Sequence, residues 1–276
     1  MEVTKLEEEF WALKARILWL VEGDRNTSFY HTSTLVHRKR NGILCMKDRM
    51  GNWLNGEREI IVFIKQGFSD LFTSGHTSAP LADWDPPSWN NHLSKEVMTL
   101  LDSPLTNKEI FEGLWALKPF KAPGPDGLHA GFFHRFLLVV GEFVKQEVKN
   151  IFNSGVVPDY LNQTLITLVP KCKSPELLSN FCPISLCNTI YKIVTKIIVG
   201  RIRPFLPDLI SLLQIAFVLE RKGVDNAIIV QELIHTMSKK KGRLGYLIIK
   251  LDLEKAYNRL EWSFVRDSLK LFRFPH

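Results

Sequence analysis

The stretch from Gly245 to Tyr257 reads GYLIIKLDLEKAY and joins an apolar strand to the start of a helix. The apolar run ends at the carboxylate of Asp252, and an unpaired carboxylate buried beside a dry sheet is costly. Asp252 therefore needs a cation, a hydrogen-bond donor or a metal ion to face. From these residues alone, Asp252 is either the N-cap of the following helix or a metal ligand at the end of a strand.

The composition is that of a basic globular protein. The 276 residues are 45% hydrophobic and carry a formal net charge of +7, which favours a polyanionic partner. No apolar run approaches the roughly 20 residues that cross a bilayer, and the acidic start MEVTKLEEEFW is unlike a signal peptide. The four cysteines form no C-x-x-C pair that would indicate zinc. We expect an intracellular protein of the cytoplasm or nucleus, without a membrane partner.

Residues 1–75 predict an amphipathic helix, a basic aromatic segment, a hairpin with its turn near 48–51, and a second helix. The basic aromatic segment is EGDRNTSFYHTSTLVHRKRNG. Rings interleaved with cations suit a single strand of nucleic acid, and a helix with a solvated basic face explains the pattern equally well. The candidate nucleic-acid contacts are Arg25, Phe29, Tyr30, Arg38, Lys39 and Arg40.

A stretch rich in proline and tryptophan, residues 76–93, predicts a linker, and residues 94–276 form the third predicted segment. That segment begins with a helix from Ser94 and a helix opened by the capping box Thr106-x-x-Glu109. A helix over 130–153, the strand TLITLVPK and a loop over NFCPISLC are expected next. A helix over 188–204 then buries Ile190, Ile193, Val194, Ile197 and Ile198 and exposes Lys192, Lys196, Arg201 and Arg203. The remaining expected elements are a short strand in QIAFV, a helix with Asp225 as its N-cap, the strand GYLIIKLDL and the helix SFVRDSLKLF.

The loop KPFKAPGPDGLH, residues 118–129, contains two glycine turns beside Lys118 and Lys121. Such turns can leave backbone N–H groups pointing outward as a cradle for phosphates, with Lys121 as a candidate contact. A rigid connector between two helices explains the loop as well.

Four blocks occur in a fixed order: KAPGPDGLHAGFF, LITLVPKCKSPELLSNFCPISLCNTIYKIVTKII, QIAFVLERKGVDNAIIVQEL and LGYLIIKLDLEKAYNRLEW. Together they resemble the fingers and first palm segment of reverse transcriptases from plant LINE-type (non-LTR) retrotransposons. The N-terminal residues resemble the segment that joins this polymerase core to an upstream endonuclease. The resemblance implies an α+β fold: mostly helical right-hand polymerase fingers and a partial palm with a small antiparallel sheet, after a helical and hairpin extension. It also implies RNA-directed DNA polymerase chemistry, with an RNA template, a DNA primer and deoxynucleoside triphosphates as partners.

The resemblance assigns roles to individual residues. It makes Asp252 the first metal-binding carboxylate of the palm, with the carbonyl of Leu253 near the same Mg²⁺, and it puts Tyr257 under the sugar of the incoming nucleotide. Two-metal nucleotidyl transfer fits carboxylates at strand ends. The implied substrate-binding residues are Lys171 and Arg221 on phosphates, with Gln214, Phe217, Asp225 and Asn226 shaping the template and nucleotide pocket.

The chain departs from the family pattern at several positions. Cys182 replaces the arginine of F-R-P-I-S-L, and Glu220 replaces the glycine of F-V-P-G-R, so weaker nucleotide binding is expected. The 276 residues contain no Asp-Asp dipeptide and so no F/Y-A-D-D box. We expect a fragment that is inactive alone as a polymerase. The alternative is a non-catalytic nucleic-acid-binding module derived from such an element. The oligomeric state is not predicted.

Overall fold

The computed structural model describes residues 27–73, 92–211, 214–215, 217–240, 247–249 and 260–275. The strands are β1 (Met46–Lys47), β2 (Trp53–Leu54), β3 (Thr164–Pro170) and β4 (Phe181–Cys187). The helices are α1 (Thr27–Arg40), α2 (Glu57–Phe72), α3 (Lys95–Leu101), α4 (Asn107–Trp115), α5 (Ala130–Arg135), α6 (Leu137–Ser154), α7 (Asp159–Asn162), α8 (Thr189–Ile202), α9 (Leu206–Leu209), α10 (Gly223–Lys239) and α11 (Trp262–Leu271). β1 pairs with β2 and β3 with β4, both antiparallel. The predicted α+β class is confirmed: the chain is mostly helical with small antiparallel sheets.

The chain forms two compact units, each assembled from separate stretches of sequence. The first contains described residues up to Asp70, from Leu117 to Glu142 and from Val157 to Tyr191. The second contains those from Leu71 to Ala116, from Phe143 to Val156 and from Lys192 onward. The predicted linker, residues 76–93, lies outside the described residues except for its last two positions, and so does the predicted first helix.

The first unit contains both hairpins. The β1–β2 turn lies where the sequence predicts it, because the Asp48 carboxylate accepts the backbone N–H groups of Met50 and Asn52 at 2.8 Å each. These bonds, chiefly those from Asn52, hold the pKa of the Asp48 carboxyl below its usual value. The buried apolar side chains of the first unit are Met46, Ile60, Phe68, Ala130, Phe133, Leu161, Phe181 and Ile190.

The second unit is helical in its described part. Ser94 caps α3, and the capping box at the start of α4 is confirmed. The N–H of Glu109 donates to Thr106 Oγ1 at 3.2 Å, and the N–H of Thr106 donates to Glu109 Oε2 at 2.9 Å. The buried apolar side chains of the second unit are Leu93, Ile110, Leu114, Val144, Val148, Ile151, Ile193, Val194, Ile197, Leu209 and Val218.

Three predictions of helix limits or helix faces were wrong. The helix expected over 130–153 is two helices, since Phe136 leaves helical geometry with φ −107° and ψ 24°. The helix expected from Asp225 begins at Gly223. Ile198 was expected inside α8, but its side chain is 42% exposed.

Two predictions of strand and loop were also wrong. The segment expected as a loop, NFCPISLC, contains β4. Pro183 is compatible with this strand, because in a two-stranded sheet its missing N–H can face away from the partner strand. The described residues of QIAFV, 214–215 and 217–218, contain no strand.

Candidate nucleic-acid and nucleotide interface

The loop over residues 118–129 is fixed to the junction between β4 and α8. Asn188 is buried there and bonds in two directions: its Oδ1 accepts the N–H of Asp126 at 3.2 Å, and its Nδ2 donates to the carbonyl of Tyr160 at 3.0 Å. The hydroxyl of Thr189 donates to the carbonyl of Leu128 at 2.7 Å. The loop therefore has a defined position in the first unit.

Glycine is required at position 124 by close approach. A Cβ there would lie 2.5 Å from the backbone nitrogen and Oδ1 of Asn188 and from the carbonyl carbon of Cys187. Atoms do not approach that closely without rearrangement, so the Pro-Gly turn is a packing requirement.

The predicted phosphate cradle was wrong for several N–H groups of this loop. Those of Lys121 and Gly127 donate to carbonyls inside the loop, and that of Leu128 donates to the Asp126 side chain. The N–H of Asp126 donates to Asn188. These four N–H groups therefore stabilise the loop and do not point outward. The geometry matches the alternative interpretation, a rigid connector. Lys121 itself is exposed.

The β3–β4 hairpin is exposed along much of its length. Its register pairs Pro170 with Phe181 and Val169 with Cys182, and Phe181 is buried. Because side chains alternate along a strand, the neighbours of Phe181 and Pro170 lie on the opposite face. That face carries Leu165, Thr167, Val169, Cys182, Ile184 and Leu186, and Lys171 follows the end of β3.

Lys171 lies at the turn end of this hairpin, and the turn is anchored. The N–H of Lys171 donates to the carbonyl of Asn180 at 2.8 Å, and Asn180 Oδ1 accepts the N–H of Leu177 at 2.9 Å. Lys47 of β1 binds Glu176 twice, through backbone N–H to carbonyl at 2.7 Å and through Nζ to Oε2 at 2.5 Å. Lys171 is exposed, and among the described residues no carboxylate pairs with its ammonium group.

Lys171 and Gly124 mark opposite ends of the hairpin. Gly124 packs against the Cys187 end, and Lys171 follows the Pro170 end. Seven residues of strand separate the two ends by roughly 20 Å. The structure therefore does not bring Lys171 together with the 118–129 loop.

Cys182 is exposed near the end of the hairpin that Lys171 follows. Val169 is its cross-strand partner, and Lys171 comes two residues after Val169, just beyond the end of β3. The arginine of the family pattern would thus stand near the Lys171 cation, and a thiol occupies that position in this chain.

Arg221 belongs to the second unit and is bonded to backbone. Its Nη1 donates to the carbonyls of Ser211 and Gln214 at 2.5 and 2.6 Å, and its Nη2 donates to those of Pro207 and Ile210 at 3.1 and 2.9 Å. The predicted phosphate contact of Arg221 stays a prediction. We call these four hydrogen bonds from Arg221 the carbonyl clamp.

The residues just before Arg221 have unusual backbone geometry. Phe217 has φ of 68° and Glu220 has φ of 64°, both in the left-handed region. The side chain of Phe217 is 76% exposed. Asp225 and Asn226 lie in the first turn of α10, where Asp225 Oδ2 accepts the N–H of Lys222 at 3.3 Å. Asp225 therefore caps the N-terminus of α10 from a position within its first turn.

The N-terminal candidates fall on α1. Arg38, Lys39 and Arg40 form its exposed last turn. Phe29 and Tyr30 lie in its first turn by backbone position, while Arg25 is outside the described residues. The described residues of the segment are helical over Thr27–Arg40, as one of its two interpretations required.

Three central predictions lie outside the described residues: Asp252, Leu253 and Tyr257. Across the described ranges, no group of three or more His, Cys, Asp or Glu side chains is placed to hold a metal ion. No helix in the described part of the chain is long and apolar enough to cross a membrane.

Arg201 was expected on the exposed side of α8, and this prediction was wrong. Its guanidinium donates to both Glu109 oxygens, at 2.7 and 3.1 Å, and to the carbonyls of Leu101 and Ser103 at 3.0 and 2.8 Å. The hydrogen bond from Arg201 is the main cause that lowers the pKa of Glu109 to about 2. A pocket of about 490 Å³ beside Arg201 is lined by Phe152, Ile198 and Leu269 among others, and by none of the predicted site residues.

Sequence reasoning missed Asn188 and Gly124 as residues that fix the 118–129 loop in the first unit. It also missed Arg201 as an internal tie of the second unit. Asn188 bonds to partners 27 to 62 residues away, and Arg201 to partners 92 to 100 residues away. No local pattern signals such contacts. The only local signal was the Pro123-Gly124 turn within the 118–129 loop.

Comparison with known families finds a similarity in the C-terminal part of the chain. Residues 169–276 match the model of the reverse transcriptase (RNA-dependent DNA polymerase) family. The matched range contains all the predicted metal and substrate positions, from Lys171 to Tyr257. Reverse transcriptases normally use divalent metal ions and act on a nucleic-acid template and primer with nucleotide substrates.

A particular relative extends the similarity toward the N-terminus. The chain is 27% identical over 264 residues to the Transposon TX1 uncharacterized 149 kDa protein of Xenopus laevis. The alignment covers 95% of this chain and 20% of the relative, so the chain spans a fifth of that protein's length. The chain is thus similar to reverse transcriptases over residues 169–276 and to a transposon-encoded protein over most of its own length.

Proposed function

We propose that this chain is part of an RNA-directed DNA polymerase of a LINE-type (non-LTR) retrotransposon. The observation that carries the proposal is the family match over residues 169–276, the range in which the predicted metal and substrate residues lie. The LINE-type and plant assignments, and the division into an extension, a linker over 76–93 and a polymerase segment, rest on the motif resemblance. The proposed compartment is the cytoplasm or nucleus.

In this proposal Asp252 and the Leu253 carbonyl hold Mg²⁺, which would supply activation of the primer hydroxyl and stabilisation of the leaving pyrophosphate. Tyr257 packs under the nucleotide sugar. Lys171 contacts phosphate, and Gln214, Phe217, Asp225 and Asn226 shape the template and nucleotide pocket.

The described geometry supports the Lys171 assignment. The lysine is exposed on a hairpin whose turn is bonded to β1, so its backbone is anchored to a second strand pair. The neighbouring exposed face is apolar, with Leu165 and Val169 51% and 40% exposed. A cation beside an apolar surface suits a single strand that presents phosphates and bases together.

The first experiment is a titration of the chain with a fluorescein-labelled single-stranded RNA across roughly 50 to 200 mM salt. Binding should weaken with salt, and Lys171→Gln should lower the magnitude of the log–log slope by about 0.7, the contribution of one phosphate contact on a single strand. Lys65→Gln removes the same charge from an exposed position on α2 and is the matched control. Equal effects of the two variants would contradict the site assignment.

Polymerase activity is tested separately, by primer extension on a primed RNA template with Mg²⁺ and deoxynucleoside triphosphates. The expectation that these 276 residues alone extend no primer stays a prediction, and extended product would overturn it. RNA binding without extension is also what the alternative function, a nucleic-acid-binding module, requires. The exposed Arg38, Lys39 and Arg40 of α1 are the observation that favours that alternative.

A further inference from the structure

The carbonyl clamp of Arg221 lies in the second unit. It indicates a role for Arg221 that differs from the predicted phosphate contact. A guanidinium has five N–H donors in a fixed planar fork. In this chain both terminal nitrogens of Arg221 face backbone carbonyls, each within hydrogen-bond distance of two of them. The geometry leaves neither terminal nitrogen directed at an external anion.

The clamp closes a loop. Its acceptors lie at Pro207 and Ile210, at the end of α9, and at Ser211 and Gln214, while the donor follows seven residues after Gln214. Carbonyls at a helix end have no partner within the helix, so a cation that binds several of them ties that end to the chain that follows.

The part of the chain between acceptor and donor includes strained residues. Phe217 and Glu220 are not glycines, yet both have positive φ. Such conformations persist only where surrounding contacts hold them. Val218, between them, is buried with 9% exposure, whereas Phe217 is 76% exposed. The buried valine and the clamp together hold an aromatic ring outward.

We infer that Arg221 is a positioning residue for nucleic acid: it fixes the loop that presents Phe217 as a stacking surface for a base of single-stranded RNA, and it makes no phosphate contact itself. This inference rests on the proposed function. Aromatic side chains that bind single strands stack on bases without sequence preference, and their loss weakens binding whatever the salt.

The salt dependence of RNA binding distinguishes positioning from phosphate contact. For Arg221→Gln we expect roughly tenfold weaker binding, similar to Phe217→Ala, with the salt slope unchanged. Arg221→Lys should not rescue binding, because one ammonium cannot replace a fork that bonds four carbonyls. The double variant with Phe217→Ala should bind about as weakly as either single variant, since both act through one ring.

A lower slope by about 0.7 in Arg221→Gln, with rescue by Arg221→Lys, would overturn the inference and restore the phosphate contact. Additive losses in the double variant would also overturn it.

A second measurement keeps the inference testable if the wild-type chain binds no RNA, which would be a failure of the proposed function. Amide hydrogen exchange of peptides from Leu206 to Arg221 should be faster in Arg221→Gln and Arg221→Lys than in wild type. Lys222→Gln, which removes the adjacent exposed cation, is the control and should exchange as wild type does. Unchanged exchange in the Arg221 variants would refute the clamp.

Discussion

Replacing Glu220 by glycine is expected to stabilise the second unit. Glu220 has φ of 64°, where a side chain with a Cβ costs about 1–2 kcal/mol, while glycine adopts the region freely. Glycine loses about 0.5–1 kcal/mol more backbone entropy on folding, so the expected net gain is about 0.5–1 kcal/mol. The family pattern F-V-P-G-R has glycine at this position, and the observed φ gives the physical reason.

The matched variant is Glu220→Ala, which removes the same carboxylate and keeps the Cβ. Urea unfolding followed by tryptophan fluorescence should give a higher unfolding free energy for Glu220→Gly and a value near wild type for Glu220→Ala. RNA titration then separates strain from charge, because removing an exposed negative charge should strengthen binding in both variants alike. If alanine stabilises the chain as much as glycine does, backbone strain at Glu220 is not the cause and the reasoning fails.

Other perturbations test the remaining contacts. Glu109→Gln should cost about 2 kcal/mol at neutral pH, since the half-buried carboxylate pairs with Arg201. The pKa of Glu109 is lowered to about 2 from 4.5, so this stabilisation is complete above pH 4.5 and is lost as the pH falls toward 2. Gly124→Ala should destabilise the first unit by about 2–3 kcal/mol in urea unfolding, because its Cβ would displace the buried Asn188. Cys182→Arg should strengthen binding of deoxynucleoside triphosphates by about tenfold over Cys182→Gln in equilibrium titrations, since a guanidinium–phosphate bond is charge-assisted.

Each of these has a contradicting outcome. A Glu109→Gln deficit that stays constant from pH 7 to pH 2 would exclude the ion pair as its origin. For Gly124→Ala, an unfolding free energy equal to that of the wild-type chain would exclude close packing at this position. Equal triphosphate affinity of Cys182→Arg and Cys182→Gln would remove position 182 from the proposed site.

Local features were predictable because their partners are close in sequence. The capping box at Thr106 and the turn at Asp48 depend on contacts three or four residues apart, and the structure confirms both. The helical interpretation of α1 was one of two that its residues allowed. The strand β4 escaped prediction because Pro183 signals a break, whereas an edge position tolerates it.

The site was predicted in part, at the level of residue types in a fixed order. Lys171 was predicted from its motif, and its exposure agrees with that role. Residue order gives no information on which hydrogen-bond donors are already bonded within the protein. The resemblance assigned Arg221 to phosphate, although both its terminal nitrogens bond backbone carbonyls. The turns of the 118–129 loop suggested N–H groups available to phosphate, although several of them donate to carbonyls within the loop.

The amino-acid sequence by itself determined the α+β class, most helix positions and the similarity to reverse transcriptases, since these depend on periodicity, local capping and residue order. Tertiary structure decided the bonding state of the charged and polar groups. The sequence predicted Arg201 as a surface cation and Asn188 as the first residue of a helix. Each is an internal tie because the fold brings polar groups from distant segments within 3 Å or slightly more of its side chain. Burial makes such groups bond to whatever acceptors lie nearby, and sequence order does not encode which acceptors those are.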